Sequence, residues 1–203
     1  QDQALPLVCD SPHSGTCCIG DVAVADMSAT QRARAMAWLP QATPLAWPIR
    51  VADAVALGRF AYGAAPGRLA PEDAAAVAQA MRDCALDDLA DRSMAVLSGG
   101  ELARVHIARA FASAAPILLA DEPVAALDPR HALHVMRLIR AMVDQGGAAL
   151  VVLHDLALAA RFADRIIAME AGRIVADDAP AALITPVWID RLFGVAVDVD
   201  DSA

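Results

Sequence analysis

Three short apolar runs stand out in the pattern of hydrophobic and polar positions along the chain. They cover residues 36–41, 117–120 and 148–153, and each leads directly into polar side chains. Uninterrupted apolar runs of this length are typical of strands that are buried on both faces of a parallel sheet. The sequence therefore predicts one strand at each of these three runs.

The polar residues that follow the second and third runs are candidate site residues, because parallel sheets bind ligands beyond the carboxyl ends of their strands. Gln41 ends the first run, Asp121 and Glu122 follow the second, and His154 follows the third. Two neighbouring carboxylates can divide their work, with Asp121 directed at Mg²⁺ and Glu122 at an attacking water. The alternatives are a polar loop residue at Gln41, two solvated acids, and a lone histidine in a structural or solvated position.

A second candidate site lies where residues 97–101, which read LSGGE, open a predicted helix. A helix start combines free backbone N–H groups with the positive end of the helix dipole, which suits a phosphate. Gly99 and Gly100 allow a close approach of the backbone, and the hydroxyl of Ser98 adds a donor. The alternative is an ordinary capped helix, since Ser98 and Glu101 also fit a capping box.

Further helices and one hairpin are predicted from periodicity and from the position of proline and glycine. Pro71 and Pro129 fit the first turns of helices that reach Cys84 and about Asp144. The remaining predicted elements are a short helix at about 87–92, a helix at 156–162, a hairpin of 165–169 with 173–177, and a helix at 185–193.

Composition limits the class of protein. A chain of 203 residues can bury a core of its own, and its net charge of −9 disfavours nonspecific nucleic-acid binding. No run reaches the roughly 18 apolar residues of a membrane-spanning helix, and the first residues do not resemble a secretory signal. The four cysteines lack the paired spacing of a metal site, which favours reduced thiols.

The N-terminal stretch fits no expected pattern. Gly15 and Gly20 have the outer spacing of a phosphate-binding P-loop, but Asp21 and Val22 stand where that motif needs Lys and Ser or Thr. We interpret the spacing as coincidence and residues 20–22 as a turn into a strand. The sequence contains no lysine at all, since each of its 16 basic residues is arginine.

LSGGE and the strand ILLADEP together resemble the signature motif and Walker B strand of ABC-type ATPases. Asp121 lies 24 residues after Leu97, and the resemblance extends from about Gly20 to about Val199. It implies a P-loop NTPase-like (RecA-like) α/β core with a mostly parallel sheet and an α-helical ABC subdomain. Residues 1–18 then form an atypical segment, 19–203 the ATPase domain and about 51–96 the helical subdomain, with the N-terminal strands and the P-loop expected to be absent.

The resemblance also implies roles for the candidate residues, with ATP and Mg²⁺ as the bound groups. Glu122 positions or deprotonates water, Asp121 and Gln41 serve Mg²⁺, and His154 contacts the γ-phosphate. In a dimer, the signature residues face the γ-phosphate held by the second subunit, and Asp128 belongs to the D-loop at the interface. The signature residues are Ser98, Gly99, Gly100 and Glu101.

A subgroup of the family is indicated by two further stretches. Residues 49–62 carry the pattern Val-x-Asp-x-Val-x-Leu-Gly-Arg, and residues 193–195 read Phe-Gly-Val. Both resemble importers of iron-siderophore, haem or cobalamin type. The implied function is ATP hydrolysis that energises uptake, with a membrane-spanning permease and a second ATP-binding subunit as partners and no nucleic acid. The implied location is cytoplasmic, peripheral on the inner face of the membrane and without direct insertion.

Two other functions remain open on the sequence. A degenerate or truncated subunit that acts only through a partner is favoured by the missing lysine, since phosphate contacts are charge-assisted and contribute roughly 1.5–3 kcal/mol each. An ABC-type ATPase of DNA repair or chromosome organisation is disfavoured by the short segment between Gln41 and Leu97 and by the acidic balance.

Overall fold

A computed structural model describes residues 14–41, 48–65 and 67–194. The chain divides into two compact units, Gln1–Val152 and Leu153–Ala203, and each is described by itself. Most of the atypical N-terminal segment (residues 1–13), Pro66 in the helical subdomain and Val195 of the Phe-Gly-Val stretch lie outside the described residues.

The first unit combines parallel strands with helices, as the sequence predicts. Among its described residues, four short 3-10 helices accompany the strands and α-helices, at Val24–Asp26, Leu57–Tyr62, Asp87–Leu89 and Met94–Val96. In chain order the strands and α-helices are β1 (Cys18–Ile19), β2 (Val22–Ala23), α1 (Ala29–Ala35), β3 (Met36–Leu39), α2 (Val51–Ala56), α3 (Pro71–Asp83), α4 (Gly99–Ala112), β4 (Ile117–Asp121), α5 (Pro129–Asp144) and β5 (Ala148–Val152).

The three predicted strands form one parallel sheet in the order β3-β4-β5. Leu39 is opposite Ala120 on one side of β4, and Asp121 is opposite Val152 on the other. Leu118 and Ala120 are buried, whereas the alternate residues Ile117 and Leu119 of the same strand are half-buried. The central strand is therefore the one that carries the two candidate carboxylates.

One expectation about β5 is wrong. Its continuous apolar run predicts a strand buried on both faces, but Leu150 is 59% exposed and Val152 is 49% exposed. Among the described strands β5 pairs with β4 alone, and its side chains alternate between the two faces of the sheet. Ala149 and Val151 on one face are half-buried, while the other face remains open.

The predicted helical subdomain, residues 51–96, contains α2, α3 and 3-10 helices between and after them, and α2 and α3 both pack against α4. Its core includes Val51, Val55 and Leu86, which are fully buried. Gly58 allows the closest approach, because a Cβ atom there would lie 2.2 Å from the carbonyl oxygen of Arg109 on α4. The short helix expected at 87–92 is a single 3-10 turn, Asp87–Leu89.

A glycine turn and a capping box set the bounds of the first short elements. Gly20, at a φ of 57°, turns the chain between β1 and β2, which pair as a small antiparallel hairpin. Gly20 and Asp21 thus form a turn into strand β2, as predicted for residues 20–22, although strand β1 before the turn is not predicted. Helix α1 is also not predicted, although Ser28 and Gln31 form a capping box at its start.

The second unit contains the predicted hairpin and short helices. The hairpin strands pair antiparallel around Ala171 and Gly172, whose φ angles of 47° and 76° suit a two-residue turn. Within the described ranges of the chain, none of the helices has the length and the apolar composition that a membrane span requires. The elements are α6 (Leu156–Phe162), β6 (Ile166–Glu170), β7 (Arg173–Asp178), α7 (Pro180–Leu183) and α8 (Pro186–Phe193).

Candidate functional site

The carboxyl edge of the central sheet brings three predicted site residues together. Asp121 is the last residue of β4 and Glu122 follows it, both half-buried. Gln41 comes two residues after β3, the strand that pairs with β4, and its side chain is exposed. Two carboxylates and one amide therefore lie where the ends of neighbouring parallel strands meet, at the edge where such sheets bind ligands.

The backbone of Glu122 is strained. Its φ of 48° lies in the left-handed region, which costs a residue with a Cβ atom roughly 1–2 kcal/mol. Two hydrogen bonds hold this conformation: the Glu122 N–H donates to the Val152 carbonyl (3.1 Å), and the Ala125 N–H donates to the Glu122 carbonyl (3.2 Å). The chain thus turns sharply directly after the strand, at a residue with an acidic side chain.

His154 belongs to the second unit, which begins at Leu153. It is exposed and comes two residues after β5, so its position in the chain matches the expectation. The next residue, Asp155, caps α6 by accepting hydrogen bonds from the N–H groups of Ala157 (2.8 Å) and Leu158 (3.0 Å). The contact of His154 with a γ-phosphate stays a prediction.

The LSGGE stretch opens α4 with a complete capping box. The Ser98 hydroxyl accepts a hydrogen bond from the Glu101 N–H (3.3 Å). One carboxylate oxygen of Glu101 accepts hydrogen bonds from the Ser98 N–H (2.8 Å) and from the Ser98 hydroxyl (2.7 Å). These bonds favour the ionised carboxylate and hold the pKa of Glu101 below its usual range. The capping box predicted for Ser98 and Glu101 is therefore present, and its presence is compatible with a phosphate site at the start of α4.

The backbone of this helix start is open to a ligand. An added Cβ atom at Gly99 would meet no atom within 4 Å, and one at Gly100 would lie 3.5 Å from the Ala126 carbonyl oxygen. The first turn of α4 thus lies beside the loop that joins Glu122 to Asp128. Small residues at these positions leave room for an anion to reach backbone N–H groups.

Asp128 is fixed by the helix that it starts. It caps α5, accepting hydrogen bonds from the His131 N–H (3.0 Å) and from the His131 ring (2.6 Å). Both bonds lower the pKa of Asp128, the ring contact most strongly. The sequence analysis assigned no role to His131. The spacing Asp-Pro-Arg-His could have indicated one, because this spacing places the histidine at the third helical position after the cap Asp128.

The donor set fits a magnesium nucleotide. Mg²⁺ prefers oxygen ligands and is usually held by one or two protein groups together with substrate phosphates. The Asp121 carboxylate and the Gln41 amide supply such oxygens at one edge of the sheet. In the part of the chain that the structure describes, no three His, Cys, Asp or Glu side chains come together as a metal site.

Comparison with known sequences relates the chain to ABC transporter proteins. The sequence model of the family described as "ABC transporter" matches residues 8–125. Two similar proteins are named "Hemin import ATP-binding protein HmuV". That of Rhodococcus jostii (strain RHA1) is 41% identical over 92% of this chain and 63% of its own length. That of Pseudomonas fluorescens (strain Pf0-1) is 41% identical over 92% of this chain and 74% of its own length.

Solved structures show the same fold. The ATP-binding cassette MJ0796, in a dimeric post-hydrolysis state bound to ADP and Pi, superposes with a TM-score of 0.73 at 28% identity, covering 85% of this chain and 76% of that one. An ATP-binding subunit of an ABC transporter gives a TM-score of 0.72 at 26% identity, covering 92% of this chain and 73% of that one.

The chain spans less than two thirds of the length of the R. jostii relative, and 62% of a 44% identical HmuV protein from Streptomyces coelicolor. The family assignment does not depend on the part of these relatives that the chain leaves uncovered. The sequence model matches more than half of this chain, and the P. fluorescens relative is covered over 74% of its length. The same α/β fold, with its parallel sheet, is found in solved ATP-binding cassettes. The chain belongs to the ABC transporter family.

Proposed function

We propose that the chain is an ATP-binding and ATP-hydrolysing subunit of an ABC importer for haem or a related iron chelate. The observation that carries the proposal is the placement of Asp121 and Glu122 at the carboxyl end of the central parallel strand, in a chain that also opens α4 with LSGGE. The names of the relatives as hemin import proteins support haem over cobalamin as the cargo.

The residues at the sheet edge have distinct tasks in this proposal. Asp121 and Gln41 hold a magnesium ion through their oxygens, and bound Mg²⁺ supplies charge neutralisation for the phosphates. Glu122 positions or deprotonates the attacking water, and its strained backbone fixes the point from which the side chain extends. His154 is proposed to contact the γ-phosphate. Phosphoryl transfer depends on such positioning more than on covalent chemistry.

The signature residues act on a second subunit. Ser98, Gly99 and Gly100 direct a hydroxyl and backbone N–H groups at the γ-phosphate bound by the partner, while Asp128 lies at the interface between subunits. The dimeric arrangement reported for a solved ATP-binding cassette supports this assignment. For Ser98 to donate to phosphate, its hydroxyl must leave the Glu101 carboxylate, which accepts from it at 2.7 Å.

The partners follow from this function. A membrane-spanning permease recruits the chain to the cytoplasmic face of the membrane, and a second ATP-binding subunit supplies the nucleotide that the signature residues face. The relatives carry the names of ATP-binding import proteins, which gives no support to the alternative of a degenerate subunit. Neither they nor the compared structures favour a DNA-repair function.

Recruitment by a permease tests the importer assignment. The chain would be coexpressed with the permease of a haem importer or, as the matched control, with that of an amino-acid importer, and membranes would be washed at alkaline pH. We expect the chain in the membrane fraction with the haem permease only, and its release by the wash. Equal recovery with both permeases, or retention after the wash without a permease, would contradict the proposal.

A further inference from the structure

The C-terminal turn of α3 has more carbonyl groups to satisfy than its own backbone can serve. Helix α3 ends in a Schellman motif, in which the Leu86 N–H donates to Met81 (3.0 Å) and the Ala85 N–H donates to Arg82 (3.0 Å). Ala85 adopts the left-handed conformation that this motif needs, with a φ of 51°. The carbonyls of the next three residues, 83–85, are left without a partner inside the motif.

Side chains from two other helices reach these three carbonyls. Arg104 on α4 donates from Nη1 to the carbonyl oxygens of Cys84 (3.0 Å) and Ala85 (2.6 Å). The Nε2 atom of His134 on α5 lies 2.6 Å from the carbonyl oxygen of Asp83, so this nitrogen carries the proton and donates it. A cationic guanidinium is also favoured there by the negative end of the α3 dipole.

The two donors occupy equivalent places in their helices. Arg104 follows the cap residue Ser98 by six positions, and His134 follows the cap residue Asp128 by six positions. Six residues correspond to about 9 Å of helix, so each contact holds a rigid segment that begins at a candidate site residue, Ser98 or Asp128. The two helix starts are also neighbours, because Gly100 of α4 lies beside the Ala126 carbonyl that precedes α5.

We propose that Arg104 and His134 are positioning residues that hold the starts of α4 and α5 in register through the C-terminal turn of α3. This inference rests on the proposed function for its consequence, since it makes the placement of Ser98 depend on a histidine in another helix. A simple capping role for the two side chains would stabilise the end of α3 and nothing beyond it.

Amide hydrogen exchange on the purified chain separates these two roles without any nucleotide. The variants are His134→Leu, which removes the donor, His134→Gln, which keeps an N–H donor, and Arg137→Leu, an exposed control on the same helix. We expect His134→Leu to speed exchange of the Glu101 and Leu102 amides in α4 by roughly two- to tenfold, in line with the loss of one hydrogen bond. His134→Gln and Arg137→Leu should leave these amides unchanged.

Faster exchange confined to Cys84, Ala85 and Leu86 in the His134→Leu variant would overturn the proposal, because it would show a local cap only. The Glu101 amide is the decisive probe, since it lies in a different helix from the substituted residue and donates to the Ser98 hydroxyl.

A second measurement tests the consequence for catalysis in a heterodimer with an ABC subunit that has an intact P-loop. We expect His134→Leu and Arg104→Met each to lower kcat/KM by about three- to tenfold. Because both act through one turn, the double variant should fall no further than the stronger single one, whereas independent caps would add. Additive losses, or none, in a heterodimer that turns over ATP would overturn the positioning role. A wild-type heterodimer without turnover would instead refute the proposed function. Hydrogen exchange would then still show whether His134 positions the start of α4.

Discussion

At the scale of single residues, the structure places strain and burial at positions that the sequence pattern marks only by residue type. Glu122 has its left-handed backbone at the point where the chain leaves the central strand. Arg59, from the Leu-Gly-Arg stretch, is 8% exposed and pairs with Asp73, which is 3% exposed. Glu122 belongs to the candidate site, whereas Arg59 and Asp73 belong to the packing of the helices.

The strain at Glu122 predicts that a residue without a Cβ atom is more stable at this position. Glu122→Gly and Glu122→Ala both remove the carboxylate, but only Glu122→Gly removes the Cβ atom that disfavours a φ of 48°. We therefore expect the free energy of unfolding of Glu122→Gly to exceed that of the matched control Glu122→Ala by about 1 kcal/mol. Urea unfolding measures both, and equal stability of the two variants would show that the turn is not strained.

The buried ion pair predicts a large loss of stability. Arg59 donates from Nε to Asp73 (2.7 Å) and from Nη1 to the carbonyls of Ala112 (3.3 Å) and Ser113 (3.2 Å), which ties α3 to the end of α4. Substituting Leu for Arg59 leaves a buried carboxylate without its partner, which costs about 3–5 kcal/mol.

The control for this substitution is Arg50→Leu, since Arg50 pairs with Asp53 at 2.9 Å but its side chain is 54% exposed. An exposed pair of this kind contributes little to stability, because solvent and salt screen it. Thermal or urea unfolding of the two variants should therefore differ clearly. Similar small losses for both would mean that the subdomain tolerates the unpaired Asp73 carboxylate.

At the scale of elements, helix caps fix the starts of the two helices that carry candidate site residues. Ser98 and Glu101 close the start of α4, and Asp128 with His131 closes the start of α5. Both caps depend on ionised carboxylates whose pKa lies below its usual range because of local hydrogen bonds. The stability of these helix starts should therefore depend on pH in the acidic range.

Glu101 gives the test of this pH dependence. Its folded pKa is lowered from 4.5, so its contribution to stability is fully present above the unfolded pKa and is lost as pH falls through the folded pKa. Glu101→Gln keeps the capping geometry without the charge. In urea titrations we expect the wild-type chain to be the more stable near neutral pH and this advantage to disappear as the pH falls through the lowered folded pKa of Glu101. An advantage independent of pH would exclude the carboxylate as its source.

The elements also show which features a sequence pattern can predict. The three apolar runs placed the strands correctly because a buried parallel strand leaves a local signature in each run. The predicted burial of β5 on both faces was wrong, because a continuous apolar run does not reveal whether each face of a strand is covered. The contacts of Arg104 and His134 with the end of α3 were not predictable, because they join residues far apart in sequence that only the fold brings together.

At the scale of the whole molecule, the candidate residues fall into two groups that serve different nucleotides in the proposed dimer. The sheet-edge group of Asp121, Glu122 and Gln41 serves a nucleotide on its own subunit, while the group at Ser98–Gly100 serves the partner's. The sequence contains no lysine, the side chain with which a P-loop reaches the phosphates. A homodimer of this 203-residue polypeptide would therefore bring two signatures and no P-loop lysine.

This asymmetry predicts the pattern of activity. The polypeptide alone should hydrolyse ATP at a negligible rate, whereas a forced heterodimer with an intact homologue should have one complete site, formed by the homologue's P-loop and carboxylates together with Ser98–Gly100 of this chain. Ser98→Arg should abolish that turnover, because a bulky side chain fills the space for the γ-phosphate. Glu122→Gln should change it by less than about twofold, since Glu122 belongs to the opposite, incomplete site. Robust hydrolysis by the polypeptide alone, lost in Glu122→Gln, would mean that the chain holds phosphate through arginine or backbone groups instead.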